Sequence, residues 1–340
     1  MDKFTKFKDE EYPYTGENSI KDVLAGTNQD KKECNMNISE FKGIIPPIVT
    51  PVNENEDVDE GGLRKLIDHC ITKGLHGIFI AGTNGEALSL TQEQRDRAIS
   101  IALSEAKGRV PVLAGVMDTS TRRVIENIKR LEQMGGEFAV VTSVFYSIHS
   151  SPQETIRHFE EISQKTNVNI VAYNIPPFTG HNLTAEMVIE LSKIDKVVAV
   201  KDSSGNFIQF LDILNYFRGT SFRVFQGVPE LLVPSILLGV HGGILAPAPL
   251  FPEIYIDIYE SSLRRDIDRI IQLAPVLEKI TAINKLSVYG ISATKYAMST
   301  LGFFDGRMIK PSEPVKKEEE PRILEAIQKV KEAYEKLSNH

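Results

Sequence analysis

A chain of 340 residues with 41% hydrophobic content has the material for one large barrel or two modest domains around a sizeable core. Its net charge of −7, with no concentrated basic stripe, argues against nucleic acid or an anionic membrane as a partner and leaves small-molecule chemistry as the default. Two cysteines, Cys34 and Cys70, are too few for a disulfide framework and fit a reducing cytosol.

Residues 1–40 read as a polar N-terminal extension, rich in Lys, Asp, Glu, Asn and Thr, with isolated aromatics (Phe4, Phe7, Tyr12, Tyr14) and no sustained period. The charged start lacks the apolar core of a leader, and no apolar run reaches membrane-spanning length, so the expected location is the cytoplasm. From Gly43 the pattern changes. Short apolar runs at Gly43–Thr50, Gly77–Ala81, Val110–Gly115, Phe138–Thr142, Asn169–Tyr173, Val197–Lys201, Phe222–Gln226 and Gly242–Ala246 alternate with longer amphipathic stretches. The helical stretches begin with Glu60–Lys73, Gln92–Lys107 and Thr121–Met134 and end with Pro252–Ser261; Thr91 with Gln94 resembles a capping box.

Eight such βα units within residues 41–262 predict a (β/α)8 TIM barrel. A doubly wound sheet has fewer strands and a glycine fingerprint after the first, whereas this first run leads into Thr50-Pro51. Residues 263–340 carry no strand signal and predict a C-terminal helical region: Leu263–Leu286, Ile291–Leu301 and Pro321–Leu337, the last with Leu324, Ile327, Val330, Tyr334 and Leu337 near one face. This region is expected to cover the barrel, to build an oligomer contact, or both.

In such a barrel the reactive groups lie at the C-terminal ends of the strands. Strand two ends in Gly82-Thr83-Asn84-Gly85-Glu86, strand four leads to Phe145-Tyr146, strand five ends in Tyr173-Asn174-Ile175-Pro176 and strand six ends in Lys201. A primary amine at the mouth of an apolar strand suits a nucleophile that forms a Schiff base with a ketone. The glycines of strand two free the backbone to turn tightly, and its peptide N–H groups with the Thr83 and Asn84 side chains can hold a small carboxylate. Each feature alone also fits an ordinary turn, core tyrosine or surface lysine; their sharing one rim carries the argument.

These motifs, with Thr179-Gly180 and Val200-Lys201-Asp202, resemble the dihydrodipicolinate synthase/N-acetylneuraminate lyase superfamily of Schiff-base aldolases, in order from about Phe41 to the C-terminus. The resemblance implies that Lys201 attacks the ketone of pyruvate or a pyruvate-derived 2-oxo acid and carries the iminium as electron sink, with no metal and no other cofactor. Tyr173 would then shuttle protons, Thr83 and Tyr146 would complete a hydroxyl relay, and the loop tyrosine would reach the site of a neighbouring subunit, implying a dimer as the smallest complete unit and a dimer of dimers as the expected assembly. Gly82, Asn84, Gly227 and Ile244 would line the substrate; Asn84 stands where many members carry a second hydroxyl.

The departures bear on the substrate. Members that use aspartate semialdehyde carry an arginine at the position of Phe178, and a phenyl ring cannot pair with a carboxylate. The polyol grip of neuraminate lyases survives only as Glu230 in Gly227-Val228-Pro229-Glu230. With Leu245-Ala246-Pro247-Ala248, this predicts a comparatively apolar acceptor pocket and, as the favoured reaction, cleavage or formation of a 2-keto-3-deoxy acid. The alternative is 4-hydroxy-tetrahydrodipicolinate synthase, which condenses pyruvate with aspartate semialdehyde.

Other chemistries fit less well. A pyridoxal phosphate enzyme needs a phosphate cradle, and Gly242-Gly243 lead into Ala246-Pro247-Ala248-Pro249, whose prolines have no N–H. The seven histidines form no recognised ligand spacing for a metal-dependent aldolase. A keto-acid sensor could dispense with the relay, so its presence argues for turnover.

Overall fold

The computed structural model describes residues 38–147 and 151–338, so all but the last three residues of the predicted extension lie outside the described residues. Eight parallel strands form the barrel: β1 (Gly43–Ile45), β2 (Ile78–Ile80), β3 (Val112–Gly115), β4 (Phe138–Val141), β5 (Asn169–Asn174), β6 (Val197–Asp202), β7 (Arg223–Gln226) and β8 (Gly242–Ile244). Their order is β1-β8-β7-β6-β5-β4-β3-β2. The closing contact, β1 to β2, is a single parallel bridge between Pro47 and Phe79. Pro46 and Pro47 have no N–H for a ladder, so β1 stops at Ile45 instead of running to Thr50; the Phe79 N–H still donates to Pro46 O and the Ile48 N–H to Phe79 O.

The helices on the outside are α1 (Glu60–Thr72), α2 (Gln92–Ala106), α3 (Thr121–Gln133), α4 (Pro152–Lys165), α5 (Pro176–Thr179), α6 (Ala185–Leu191), α7 (Phe207–Tyr216), α8 (Leu232–Leu237) and α9 (Pro252–Arg264). The four-residue α5 was not expected. Pro176 and Pro177 occupy its first positions, where a missing N–H costs nothing and the fixed φ suits a helix. At α2 the Thr91 hydroxyl accepts from the Gln94 N–H, but the Gln94 side chain turns away to Val58 N–H and Asp57, so the capping box is only half formed.

Alternation along the strands sorts side chains into two layers. Ile44, Ile78, Ile80 and Val224 face the helices, while Ile45, Phe79, Leu113, Val171, Ala199 and Phe225 fill the barrel interior. Phe41 plugs the N-terminal end, its ring centroid 4.8 Å from those of both Phe138 and Phe225. A register shift between Ile170 and Val171 makes Ala199 the partner of Val171, so Lys201, two residues on, shares the inward parity of Ala199.

Two histidines hold the N-terminal ends of strands. His76 Nδ1 accepts the Ile44 N–H at 3.2 Å and His241 Nδ1 accepts the Val224 N–H at 3.1 Å. Burial lowers both, and His241, also facing Arg223, falls to about 4. A histidine whose folded value lies below its unfolded one stabilises fully above about pH 6.5, and that stability is lost as pH falls toward the folded value. We therefore expect Tm to fall between pH 6.5 and 4, and to fall less steeply in His241→Gln; parallel pH profiles for the two proteins would remove His241 from the account.

The expected Leu263–Leu286 helix is broken. Arg265 takes a left-handed conformation at φ 56° and Asp266 caps a new helix by accepting the Arg269 N–H, giving α10 (Ile267–Ala282). Then come α11 (Gly290–Ser299) and α12 (Glu320–Ser338). In α12 Ile327 and Val330 are buried and Tyr334 and Leu337 pack against the core as expected, while Ile323 takes the place of Leu324, which is exposed. Among the described residues no helix is long and apolar enough to cross a membrane.

Candidate active site

Lys201 ends the inward face of β6 and is only 3% exposed. Its Nζ lies 4.0 Å from the centroid of the Tyr173 ring and 5.1 Å from that of Phe79. Tyr173 is its cross-strand partner on β5, and the Tyr173 and Phe79 rings meet edge to face at 6.3 Å. The amine thus stands over aromatic faces, and among the described residues no hydrogen bond or carboxylate holds it. The Tyr173 hydroxyl makes no hydrogen bond among the described residues either.

The next residue on each strand points the other way, to the barrel wall. There Asn174 Nδ2 donates to Asp202 Oδ2 at 2.9 Å, while Asp202 Oδ1 accepts from the Ser204 N–H and hydroxyl. Asn174 also exchanges hydrogen bonds with the backbone of Leu183. The Asp202 charge is thereby spent on locking the ends of β5 and β6 together instead of pairing with Lys201. Strand parity, applied to Tyr173-Asn174 and Lys201-Asp202, is the signal that separates these roles.

The turn after β2 is built differently from the expectation. Its left-handed residues are Ala81 and Glu86, at φ 53° and 52°, not the glycines. Gly82 is required for space, since a Cβ there would lie 2.8 Å from the Phe79 ring. The N–H groups of Gly85, Glu86 and Ala87 are spent on Gly82 and Thr83 carbonyls. Those of Thr83 and Asn84 have no acceptor among the described residues, and two adjacent free donors are what a small carboxylate needs.

Glu86 was read from the sequence only as part of a motif. It is buried, accepts the Ile309 N–H at 2.9 Å and pairs with the ammonium of the fully buried Lys295 on α11. Burial pushes Lys295 down and Glu86 opposes the shift. The C-terminal helical region therefore reaches the mouth of the barrel through this pair.

A cavity of about 150 Å³ lies beyond the C-terminal ends of β2 to β5; Lys201 and Tyr173 are not among its walls. Thr83 and Gly82 contribute to it from the β2 turn, Met117 follows β3, Thr142 and Phe145 follow β4, and Ile175, Phe178 and Thr179 follow β5. Glu86, Ala87, Leu88, Ser89 and Tyr289 complete it. No lysine or arginine lines it. Phe178 is 55% exposed at its edge.

Other expected site residues are not brought together within the chain. Tyr146 points outward, 97% exposed, at φ 71°, and Phe145 takes the wall position. Asn84 is half-buried beside the cavity. Ile244 is a side chain of the barrel interior. The Gly227 N–H donates to Asp202 O at 2.7 Å, and a Cβ there would lie 2.7 Å from that oxygen, so this glycine serves the close approach of the β6 and β7 exits.

The chain matches the model of the dihydrodipicolinate synthetase family over residues 40–330. It is 32% identical over 272 residues to a 4-hydroxy-tetrahydrodipicolinate synthase from Thermoanaerobacter sp. strain X514, covering 80% of this chain and 90% of the relative. The crystal structure of dihydrodipicolinate synthase from Bacteroides thetaiotaomicron is similar at a TM-score of 0.82 and 29% identity, covering 86% of this chain and 100% of that one. YagE, a prophage protein of the dihydrodipicolinic acid synthase family from E. coli K12 solved in complex with pyruvate, gives a TM-score of 0.81 at 26% identity over 86% and 99% of the two chains.

Proposed function

The chain belongs to the dihydrodipicolinate synthetase family and is a lyase of the class I aldolase type, and we propose that it joins pyruvate to a short uncharged aldehyde, or cleaves the resulting 2-keto-3-deoxy acid. The observation that carries the reading is the buried, unpaired Lys201 amine over the Tyr173 ring. In the forward direction the amine adds to the pyruvate ketone and water leaves. The iminium acidifies the adjacent methyl group, which loses a proton to the Tyr173 relay to give an enamine; the enamine carbon attacks the aldehyde carbon as the aldehyde oxygen takes up a proton, and water then hydrolyses the iminium to release the product and free Lys201. Tyr173 moves the protons of these steps, the hydroxyl of Thr83 extends its reach, and the Thr83 and Asn84 N–H groups hold the pyruvate carboxylate. The covalent imine makes a separate cofactor or metal unnecessary.

The choice of aldehyde rests on the cavity. Its walls offer the hydroxyls of Thr83, Ser89, Thr142 and Tyr289 among apolar side chains, and no cation to receive a second carboxylate. A second reading, 4-hydroxy-tetrahydrodipicolinate synthase, is favoured by the names of the relatives. The outward Tyr146 supports an assembly in which a second copy completes the relay, and the sparse cysteines support a reducing, cytoplasmic setting.

The two readings separate in one assay. With pyruvate constant, glyceraldehyde should give the higher kcat/KM and aspartate semialdehyde the lower. Phe178→Arg should raise the semialdehyde value about tenfold, since a charge-assisted pair replaces a phenyl ring at the edge. A wild-type preference for aspartate semialdehyde would replace the first reading with the second.

A further inference from the structure

Tyr289 lines two cavities at once. One is the acceptor cavity already described; the other, of about 220 Å³, is formed within the C-terminal region by Ser287, Val288, Ser292, Ser312, Lys316 and their neighbours. The residue precedes α11 in an extended conformation, φ −113° and ψ 106°, and is 37% exposed. Its helix is tied to the barrel by the buried Lys295–Glu86 pair, and Glu86 also lines the acceptor cavity. The backbone of Tyr289 is thus held in place by α11.

The two spaces differ in chemistry. The first is walled by Leu88, Met117, Phe145, Ile175 and Phe178 with scattered hydroxyls; the second carries Lys316, Glu313 and Glu319 with three serines. An aldehyde long enough to pass the ring would place its distal hydroxyls against those serines and charges, where hydrogen bonds would replace those lost to water. With the ring in place, only a short acceptor is accommodated.

We propose that Tyr289 is a specificity-determining residue whose ring divides the acceptor cavity from the second cavity and so sets the maximum length of the aldehyde. The proposal rests on the aldolase reading above and deepens it. It assigns to the C-terminal region a share in substrate choice, in addition to covering the barrel.

The test is a series of aldoses of three to six carbons, each assayed for kcat/KM with pyruvate against wild type, Tyr289→Ala and Tyr289→Phe. Removing the ring should raise the six-carbon to three-carbon ratio by about tenfold or more, because relief of one steric wall is worth at least what a methylene is in a fitted pocket. Tyr289→Phe keeps the ring and should leave the ratio within about threefold of wild type. Borohydride labelling of Lys201 with pyruvate reports an intact site in each protein; should the alanine variant fail to label, Tyr289→Leu is read by the same criterion. An unmoved ratio in a variant that labels, or an equal shift in Tyr289→Phe, overturns the proposal. Absence of labelling in wild type would instead overturn the aldolase reading itself.

Discussion

Incubated with pyruvate and borohydride, the wild-type protein is expected to gain one reduced pyruvyl group on Lys201, and Lys201→Ala to gain none. The amine is buried in the inward layer of the barrel, over the rings of Tyr173 and Phe79, and among the described residues no ion pair competes with the ketone for it. Lys295 is the other fully buried lysine of the region, but Glu86 holds it as an ammonium partner, so it is not expected to label. Loss of a covalent nucleophile should lower kcat/KM by at least about 1,000-fold. Tyr173→Phe separates two steps of the chemistry: its ring still supports the amine, so slow labelling should persist, while loss of the proton shuttle should lower kcat by roughly 100-fold or more. Full activity in Lys201→Ala, or an adduct carried by another lysine, would falsify the mechanism.

The barrel was legible in the sequence because its signals are local. Each strand is an apolar run bounded by turn residues, each helix shows its own period, and the count of βα units settles the closure. The errors occur where a local rule meets a second constraint. Pro46 and Pro47 sit in a β-rich run, yet without N–H groups they end β1 early. Arg265 looks helical by its neighbours, but Asp266 offers a cap and the chain restarts. Of the site, Lys201 and Tyr173 were placed on one rim because each ends an apolar strand, which is readable along the chain; that they are cross-strand partners depends on the register of β5 and β6, which is not. What stayed hidden depends on long sequence separation: Glu86 with Lys295, 209 residues apart, and Tyr289 at the cavity wall. No periodicity encodes such a contact. The left-handed residues of the β2 turn were also hidden, because glycine next to them is the residue that usually takes that conformation, and here Gly82 is needed for space instead.

The Glu86–Lys295 pair should matter more for stability than any surface ion pair of the chain. Both side chains are nearly free of solvent, whereas pairs such as Lys193–Glu190 and Lys165–Glu161 are half exposed and screened. Removing one member of a buried pair strands the other charge, at a cost of about 3–5 kcal/mol. Lys295→Met is therefore expected to lower Tm by roughly 10 °C in a thermal melt near neutral pH. Glu86→Gln should cost a similar amount, since it leaves an ammonium in the same apolar setting, although the Ile309 N–H retains an acceptor in the amide oxygen. The double variant Glu86→Gln/Lys295→Met carries no buried charge and should recover much of the loss, a non-additivity that independent sites do not show. The pair also fixes the residue that follows the carboxylate-holding turn and anchors the helix that follows Tyr289, so single variants that remain folded should raise KM for pyruvate more than they lower kcat. Additive losses in the cycle, or single variants as stable as wild type, would show that the C-terminal region is held to the barrel by apolar packing alone and that the site turn keeps its shape without it.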